Sequence, residues 1–362
     1  MSTALLAGTE KTTIGDIVVT NVYSTIAAEY RALRSSAGLL DHSGVGLIAC
    51  RGAAAGAVAA LVSRDVGFLV KHRCTTAALL GEDGTVIDVL TMFGVDDGLL
   101  LQTSRGRRHA TLAALKHHVV GEGVVDLSDD YAAIGLEGPY SWGVVGRVFG
   151  PEHLSMAPES IHEVIWDGGS VHMARTGFTG EYGYQWIGAR HTITSLFEEL
   201  ARHAIPVGQA ALEVAMLEVS QPMVAREAIS GADVRCRGWT WMVDQHKPAF
   251  LGRTALLGSQ LPPTGTVGFR GGICAVPVRG DAVILGREAI GVVVTAVRSP
   301  ETGEVMGLAE VDRELLCDGL DLHIDLGGEL HPVRTASSPY RVPTSWSVRI
   351  VRPHKTRSCL AG

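Results

Sequence analysis

The pattern of predicted elements changes once along this chain, near residue 260, and this change restricts the fold more than any other feature. Before it, short apolar strands alternate with amphipathic helices; after it, short strands and turns follow one another with little helix. Strands mixed with helices favour a helix-covered sheet, and a run of short strands favours a barrel or a sandwich. Pro262, Pro263 and Gly265 are typical of a linker at the boundary. The sequence therefore predicts an α+β region, then a small all-β domain with strands near 273–278, 289–297, 305–311, 320–324 and 331–335.

Turns within the first region indicate antiparallel pairing. The segments 81–84 and 167–169, rich in Gly and Asp, each separate two apolar runs, as in β-hairpins. Apolar residues at spacings of four and three predict a helix over 24–37. We expect α+β sheets with some antiparallel strands.

Charge and composition restrict the partners. The chain has 362 residues, a formal net charge of −7 and a pI of about 6.0, which predicts no nucleic-acid partner because phosphates require clustered cations. The densest basic run is Arg105, Arg107, Arg108 and His109; a surface helix start and a subsite for an anionic tail are both open interpretations. No apolar run reaches the roughly 18 residues of a membrane span and no leader is visible, so we expect a cytoplasmic protein without a membrane partner. The sequence does not indicate an oligomeric state.

The six cysteines do not have the spacing of a metal site. None are paired as C-x-x-C, so we expect no zinc and no other metal. Most of them lie in apolar stretches, which predicts reduced thiols in the core.

Several different short motifs follow one another along the chain. They are residues 29–43 (EYRALRSSAGLLDHS), 84–89 (GTVIDV), 136–139 (LEGP), 174–184 (ARTGFTGEYGY), 250–256 (FLGRTAL), 286–291 (GREAIG) and 299–303 (SPETG). Their order and spacing resemble those of the folate-binding aminomethyltransferase family, which includes the glycine-cleavage T-protein. The fourth motif, similar to the family's S-R-T-G-Y-T-G-E-D-G-F, is the most specific because its closely spaced glycines permit a sharp backbone turn near a ligand.

The resemblance implies a fold, a cofactor and an activity. It implies two ferredoxin-like lobes and a C-terminal β-barrel around a central channel, with tetrahydrofolate in the channel and a small-molecule substrate that exchanges one carbon with it. We expect residues 1–260 to form the lobes (about 1–50 with 130–230, and 51–129 with 231–260). We expect residues 261–352 to form the barrel and residues 353–362 a tail.

The chain departs from the family pattern at its polar anchors. Val89 stands where the family's G-G-I-I-D-D has its second Asp, and Asp88 remains as a neighbour whose side chain should point to the opposite face of the strand. Gln185 replaces a Glu of the family motif. A Gln can keep one of the hydrogen bonds that the carboxylate would make to the pterin, but it loses a charge-assisted one. Met216 stands for the Arg of R-L-E-A-G. Thr76 aligns with a tyrosine of the family's pocket, by the number of residues that separate it from the G-G-I-I-D-D motif.

Each change removes charge from one cavity, which predicts an apolar pocket. Arg226 could supply the cation that is lost at Met216. The cofactor-binding candidates are Val89, Arg175, Glu181, Tyr184, Gln185, Met216, Arg226 and Trp241.

The proposed catalytic residues are His42, Asp88 and Tyr182. A histidine that titrates near neutrality can move a proton, and Tyr182, which replaces the family's Asp, can donate a hydrogen bond or stack on a flat ring. Asp41, Glu181, Tyr184 and Glu218 are further acid–base candidates, each with an ordinary structural role as the alternative.

Three functions remain open at this point. The first is a tetrahydrofolate-dependent one-carbon transferase acting on a small molecule other than glycine. The second is a folate-independent enzyme on the same scaffold, catalysing a cyclisation, elimination or isomerisation in a biosynthetic pathway. The third is a non-catalytic binding or assembly protein.

Overall fold

The structure is a computed structural model that describes residues 5, 8–67, 69, 72–229 and 231–350. The predicted tail 353–362, with Cys359, lies outside the described residues. The strands are β1 (Glu10–Ile14), β2 (Ile17–Val22), β3 (Gly38–Asp41), β4 (Leu47–Arg51), β5 (Cys74–Leu80), β6 (Val86–Val95), β7 (Gly98–Gln102), β8 (Val124–Asp126), β9 (Tyr131–Glu137), β10 (Ile161–Trp166), β11 (Gly169–Ala174), β12 (Gly183–Ala189), β13 (Ile205–Val207), β14 (Thr264–Gly271), β15 (Ala282–Leu285), β16 (Glu288–Arg298), β17 (Val305–Asp312), β18 (Asp321–Leu326) and β19 (Glu329–Ala336). The α-helices are α1 (Ile26–Ser35), α2 (Ala53–Leu61), α3 (Arg108–His118), α4 (Ser141–Val148), α5 (Arg190–Leu200), α6 (Gln209–Glu218), α7 (Val224–Glu227) and α8 (Arg253–Gly258).

The first lobe is a six-stranded sheet in the order β10-β11-β12-β9-β3-β13. Side chains alternate across each strand, so one face of the sheet packs on α4 and α5 through a core that includes Trp186 and Phe197. The opposite face, near β3 and β13, packs on α1 and α6 around Leu33 and Leu40. A hairpin of β1 and β2 precedes this lobe, in a stretch whose sequence has no clear hydrophobic period.

The second lobe is a five-stranded sheet in the order β5-β6-β7-β4-β8. Its outer face packs on α2 and α3 through a core that includes Leu90 and Met92. Its inner face meets the first sheet, where Phe93 and Leu100 pack with Ala133 and Ile187. The two sheets therefore face each other across an apolar seam.

One boundary between the lobes differs from the sequence prediction. The strand β4 was placed with the first lobe, but it pairs with β7 and β8 and so belongs to the second sheet. The chain crosses between the lobes after β3, in the short loop that carries His42. The helix that ends near Gly38 was predicted, whereas β3 itself was not, because this strand has only four residues.

The C-terminal domain is a closed barrel in the order β14-β17-β16-β15-β18-β19. The predicted strand over 273–278 is wrong, and the first barrel strand, β14, begins inside the stretch interpreted as a linker. Glycine there permits close packing: a Cβ at Gly268 would lie 2.2 Å from the Tyr340 hydroxyl and 2.5 Å from the Ala336 carbonyl oxygen. Gly265, which was interpreted as part of the linker, also lies in β14, and a Cβ there would come within 2.5 Å of Leu316 Cδ1.

The barrel shares a core with the first lobe. Val294, Met306 and Leu308 of the barrel pack against the α1 and α6 cluster that contains Leu33. The expectation of core cysteines holds for Cys50, Cys74 and Cys236, which are buried, and is wrong for Cys274 and Cys317, which are exposed. No helix among the described residues is long and apolar enough to span a membrane.

Candidate functional site

A cavity of about 760 Å³, counting its opening, lies where the two lobes meet α6 and α7. The lining side chains used below are Thr76, Val89, Thr91 and Gln102 of the second sheet, His42 and Phe178 of the first lobe, Gln209, Glu213 and Met216 of α6, and Arg105 and Arg226. We call it the central cavity.

The second sheet contributes a row of polar side chains. Thr76, Thr91 and Gln102 are partners in register on the adjacent strands β5, β6 and β7, so they project from one face. Val89 lies two residues from Thr91 on the same face and adds an apolar surface. The Gln102 side chain is buried, and its Oε1 has no hydrogen-bond partner among the described residues. A buried acceptor without a partner indicates a place for a ligand donor.

His42 directly follows β3 and forms the opposite wall. Its backbone N–H donates to the Ala133 carbonyl, and its ring lies over Gly135, where a Cβ would come within 2.6 Å of Nε2. The Phe178 ring meets it edge to face at 5.5 Å. Burial, with the nearby Arg105 charge, lowers the pKa of His42 to about 3. His42 is therefore neutral near pH 7, which corrects the expectation that it titrates there, and its Nε2 has no partner in the described part of the chain.

The α6 wall carries a chain of polar contacts. Gln209, Glu213 and Met216 recur at spacings of four and three, so they share one face of the helix. Glu213 accepts hydrogen bonds from Gln209 Nε2 (2.9 Å) and Arg226 Nε (3.0 Å). Arg105 donates to Gln209 Oε1 and to the Asp41 carbonyl. With two guanidinium groups and one carboxylate, this wall carries one net positive charge.

The sequence indicated Arg226 but did not single out Arg105. The basic run divides after Arg105 at Gly106, whose φ of 72° turns the chain. Arg108 then starts α3 and pairs with Asp126 and Asp129, as in the surface interpretation, while Arg105 lines the cavity. The signal in the sequence was Gly106 itself, because a turn at this glycine allows Arg105 before it and Arg108 after it to point in different directions.

Asp88 points away from the central cavity. Its carboxylate accepts hydrogen bonds from Thr111 Oγ1 on α3 (2.7 Å) and from the Ser104 N–H. Burial raises its pKa to about 6. The strand has a bulge opposite Leu79 and Leu80, yet Asp88 still faces α3, so it does not replace the carboxylate that is missing at Val89.

Glu181 and Glu218 belong to a buried network outside the cavity lining. Arg34 lies 2.7 Å from a Glu218 oxygen and 3.4 Å from a Glu181 oxygen. Tyr30 donates to Glu218 (2.6 Å), and Glu181 also accepts the backbone N–H of Ser345 (2.8 Å). These contacts give both carboxylates a structural role.

Tyr182, Arg175 and Tyr184 form a second cluster apart from the lining. The Tyr182 hydroxyl donates to the Val348 carbonyl (2.8 Å), and the Arg175 guanidinium lies 5.4 Å from the Tyr182 ring centre and 5.9 Å from that of Tyr184. Tyr184 is fully buried in the outer core of the first lobe. None of the three lines the central cavity.

Gln185 and Trp241 lie in different surroundings from each other. Gln185 is fully buried, pairs across the strands with Gly135, and so leaves the sheet on the face where His42 lies; neither of its amide atoms has a partner among the described residues. Trp241 is 51% exposed and lines a separate cleft beside the barrel.

At another surface, Glu82, His117 and His118 place possible metal-ligand atoms within 4.8 Å of one another, so the absence of a metal remains a prediction.

The family models for the GCVT N-terminal domain and the glycine cleavage T-protein C-terminal barrel domain match residues 7–247 and 266–340. The chain belongs to the glycine-cleavage T-protein family of aminomethyltransferases. Aminomethyltransferase-family relatives include the aminomethyltransferase of Chlorobium phaeovibrioides, 28% identical over 335 residues, with 89% of this chain and 92% of the relative covered. The aminomethyltransferase of Mycobacterium tuberculosis is 28% identical over 332 residues, with 88% and 89% covered.

A solved structure supports the same fold. The glycine cleavage system aminomethyltransferase T from Bartonella henselae superposes with a TM-score of 0.84 at 21% identity, covering 92% of this chain and 95% of that one. The predicted aminomethyltransferase fold, with its mixed helices and strands and its C-terminal barrel, is confirmed.

Proposed function

We propose that this protein is a tetrahydrofolate-dependent one-carbon transferase whose second substrate is a small molecule other than glycine. Its place among the aminomethyltransferases supports one-carbon transfer to or from folate. The observation that carries the proposal is the central cavity, where Gln102 and His42 on opposite walls each have a buried polar atom without a hydrogen-bond partner among the described residues.

The residues of the cavity fit a flat heterocycle with several donors and acceptors. Gln102 Oε1 can accept an N–H, and the neutral His42 can donate or accept at Nε2, depending on its tautomer. Gln185 does not line the cavity, but its amide leaves the sheet on the same face as His42, has no partner among the described residues and offers a donor and an acceptor. A pterin presents amino, ring N–H and carbonyl groups that complement this set. Val89 and Met216 supply apolar surface for its ring faces.

The chain's own contribution to catalysis is to position the two reactants in the central cavity. The facing sheets fix both walls, and bound tetrahydrofolate would supply the nitrogen that carries the one-carbon unit. Aligning two reactants in such a site can provide roughly 7–11 kcal/mol of the barrier reduction. Arg105 and Arg226 give one wall a positive charge that favours a carboxylate of a ligand.

The proposal that the donor is not glycine rests on the changed anchors. Val89, Gln185 and Met216 each replace a charged residue of the family motif with a neutral one, so a ligand held here meets fewer charges. Arg226 does not fully restore the cation expected at Met216, because Glu213 pairs with it.

The same observation favours one alternative. A cavity whose lining carboxylate is already paired can hold a neutral, more apolar intermediate, and then the reaction would be a folate-independent cyclisation, elimination or isomerisation. The two functions differ in whether the central cavity binds folate.

Calorimetric titration with tetrahydrofolate, 5-methyltetrahydrofolate and 5-formyltetrahydrofolate tests the proposal. We expect binding in the micromolar range, roughly −8 kcal/mol, and weaker binding by Gln185→Ala, with the exposed Gln260→Ala as the matched control. No binding at about 1 mM would refute the folate proposal and favour the alternative. Folate binding without turnover of any amine or methyl donor would favour a non-catalytic binding protein.

A further inference from the structure

A second cleft lies between the segment 219–241 and the barrel. It encloses about 1350 Å³, counting its opening, and its barrel side is formed by residues of β14, β17 and β19 together with Cys317 and Asp318. Gln221 lines both this cleft and the central cavity. We call it the barrel cleft; none of the groups that the proposed function uses is needed to form it.

Arg237 provides a buried cation at the barrel cleft. Its side chain is 6% exposed, and Nη1 lies 2.8 Å from a Glu310 oxygen and donates to Thr266 Oγ1 (3.2 Å). Its Nε is buried and has no partner in the described part of the chain. A buried guanidinium N–H without an acceptor costs free energy that a ligand oxygen would recover.

Glu227 provides a buried acid in the same cleft. It is 3% exposed, and its Oε1 accepts the Met223 backbone N–H at 2.8 Å. Burial raises its pKa to about 7, and the charge of Arg237 acts in the opposite direction. Glu227 and Arg237 both line the cleft, yet they form no ion pair with each other among the described residues. A carboxyl group and a guanidinium group that do not pair with each other can bind the ammonium group and the carboxylate of one ligand, respectively.

Two indoles supply the apolar part of the cleft. Trp239 is buried, and Trp241 is half exposed, so an aromatic face remains accessible beside the two charged groups. An accessible indole favours an apolar or aromatic side chain, and it also attracts a cation.

We propose that the barrel cleft binds a zwitterion of the amino-acid type with an apolar side chain. Its carboxylate binds at Arg237, its ammonium group at Glu227, and its side chain packs on Trp241. The site is separate from the proposed one-carbon chemistry, which uses the central cavity.

Three matched probes test this assignment by calorimetry on the full chain: L-phenylalanine, 3-phenylpropionate and phenethylamine. L-phenylalanine has both charged groups, and each of the others lacks one. We expect L-phenylalanine to bind at least about 10-fold more tightly than either. Equal binding of 3-phenylpropionate or of phenethylamine would overturn the zwitterion assignment, as would no binding of L-phenylalanine at about 10 mM.

Variants locate the binding. Trp241→Ala and Glu227→Gln should each weaken L-phenylalanine binding about 10-fold or more, while Trp346→Ala, an exposed tryptophan outside the cleft, should not. Trp241 is half exposed, so its replacement leaves the fold intact even where Glu227→Gln does not. Unchanged binding by Trp241→Ala would place the ligand elsewhere and refute the proposal. Folate titration of Trp241→Ala keeps the two proposals distinguishable, because its outcome depends on the central cavity alone.

Discussion

Arg34 and His42 are eight residues apart, and both are buried, but they differ in how their polar atoms are satisfied. Arg34 is paired with two carboxylates and donates to the Thr179 and Ala215 carbonyls. His42 lies at the central cavity, and its Nε2 has no hydrogen-bond partner in the part of the chain that the structure describes. The first arrangement stabilises the fold, whereas the second leaves a group free for a ligand, so neighbouring residues of one motif serve different purposes.

Replacing Arg34 should destabilise the protein strongly. In Arg34→Met, Glu218 and Glu181 stay buried without their cation, which typically costs about 3–5 kcal/mol. Urea unfolding measures the change, and Arg34→Lys, which keeps the charge but not the forked geometry, should lie between the variant and the natural protein. A loss below about 1 kcal/mol would mean that the carboxylates find other partners.

The depressed pKa of His42 should make stability depend on pH. Between about pH 3, its folded pKa, and about 6.5, its unfolded value, the unfolded state binds more protons. Stability is therefore present above this window and is lost as the pH falls through it. Relative to His42→Gln, the natural protein should lose up to about 1.4 kcal/mol per pH unit within the window.

The measurement is urea unfolding of both proteins from pH 7 down to pH 5. The comparison at each pH cancels the opposite contributions of Asp88 and Glu227, whose pKa values are raised and which are present in both proteins. If the difference in stability between the natural protein and His42→Gln were the same at every pH, His42 would be protonated as readily in the folded state as in the unfolded state. That outcome would contradict its lowered pKa.

At the scale of elements, strand alternation decides which motif residues reach the central cavity. It places Thr76, Thr91 and Gln102 on the inner face and turns Asp88 toward α3. On the first lobe, β9 leaves room for the His42 ring by having glycine at position 135. The shape of the cavity thus depends on the strands as much as on the side chains that line it.

Gly135→Ala should displace the His42 ring. A Cβ at this position would lie 2.6 Å from Nε2, so the ring must move into the cavity. We expect a changed His42 imidazole resonance in NMR spectra and folate binding at least about 10-fold weaker. Gly143→Ala in α4 is the control, because its new Cβ would meet no described atom within 4 Å apart from its chain neighbours and the backbone of its own helix. An unchanged His42 resonance in Gly135→Ala would contradict this geometry.

The elements were predictable where apolar periodicity and turns agreed, and less so elsewhere. The hairpins β5–β6 and β10–β11 lie where the glycine-rich turns indicated them. The strands β3 and β14 were missed because one is only four residues long and the other contains packing glycines. At the site, Val89 and Met216 could be placed from motif spacing, and Gly106 was the local signal for Arg105, whereas Gln102 reaches the cavity through tertiary contacts that no local pattern records.

At the scale of the whole molecule, the chain returns from the barrel to the first lobe. After β19, the Tyr340 backbone N–H donates to the Glu218 carbonyl, and its hydroxyl donates to the Gly307 carbonyl. Farther along, Thr344 and Ser345 donate to Glu181. We call residues 337–350 the return segment; it joins the barrel to the motif loop of the first lobe.

Removing the return segment should destabilise the first lobe as well as the barrel. A chain that ends at Ala336 leaves Glu181 buried without its Thr344 and Ser345 donors, and we expect a melting temperature lower by roughly 4–8 °C or more. Hydrogen exchange should increase at residues 178–182. A chain that ends at Ile350 keeps every contact described here and is the control; equal melting temperatures for the two truncations would contradict a stabilising role of the segment.

The return segment also bears on how the protein is made. The chain emerges from the ribosome N-terminus first, so Arg34, Glu181 and Glu218 emerge long before Ser345. Domains generally fold as units during synthesis, but the buried Glu181 carboxylate of the first lobe lacks its hydrogen bonds from Thr344 and Ser345 until residue 345 has been translated. A chain that ends before residue 344 therefore carries a first lobe whose Glu181 keeps its Arg34 partner but lacks its donors from Thr344 and Ser345.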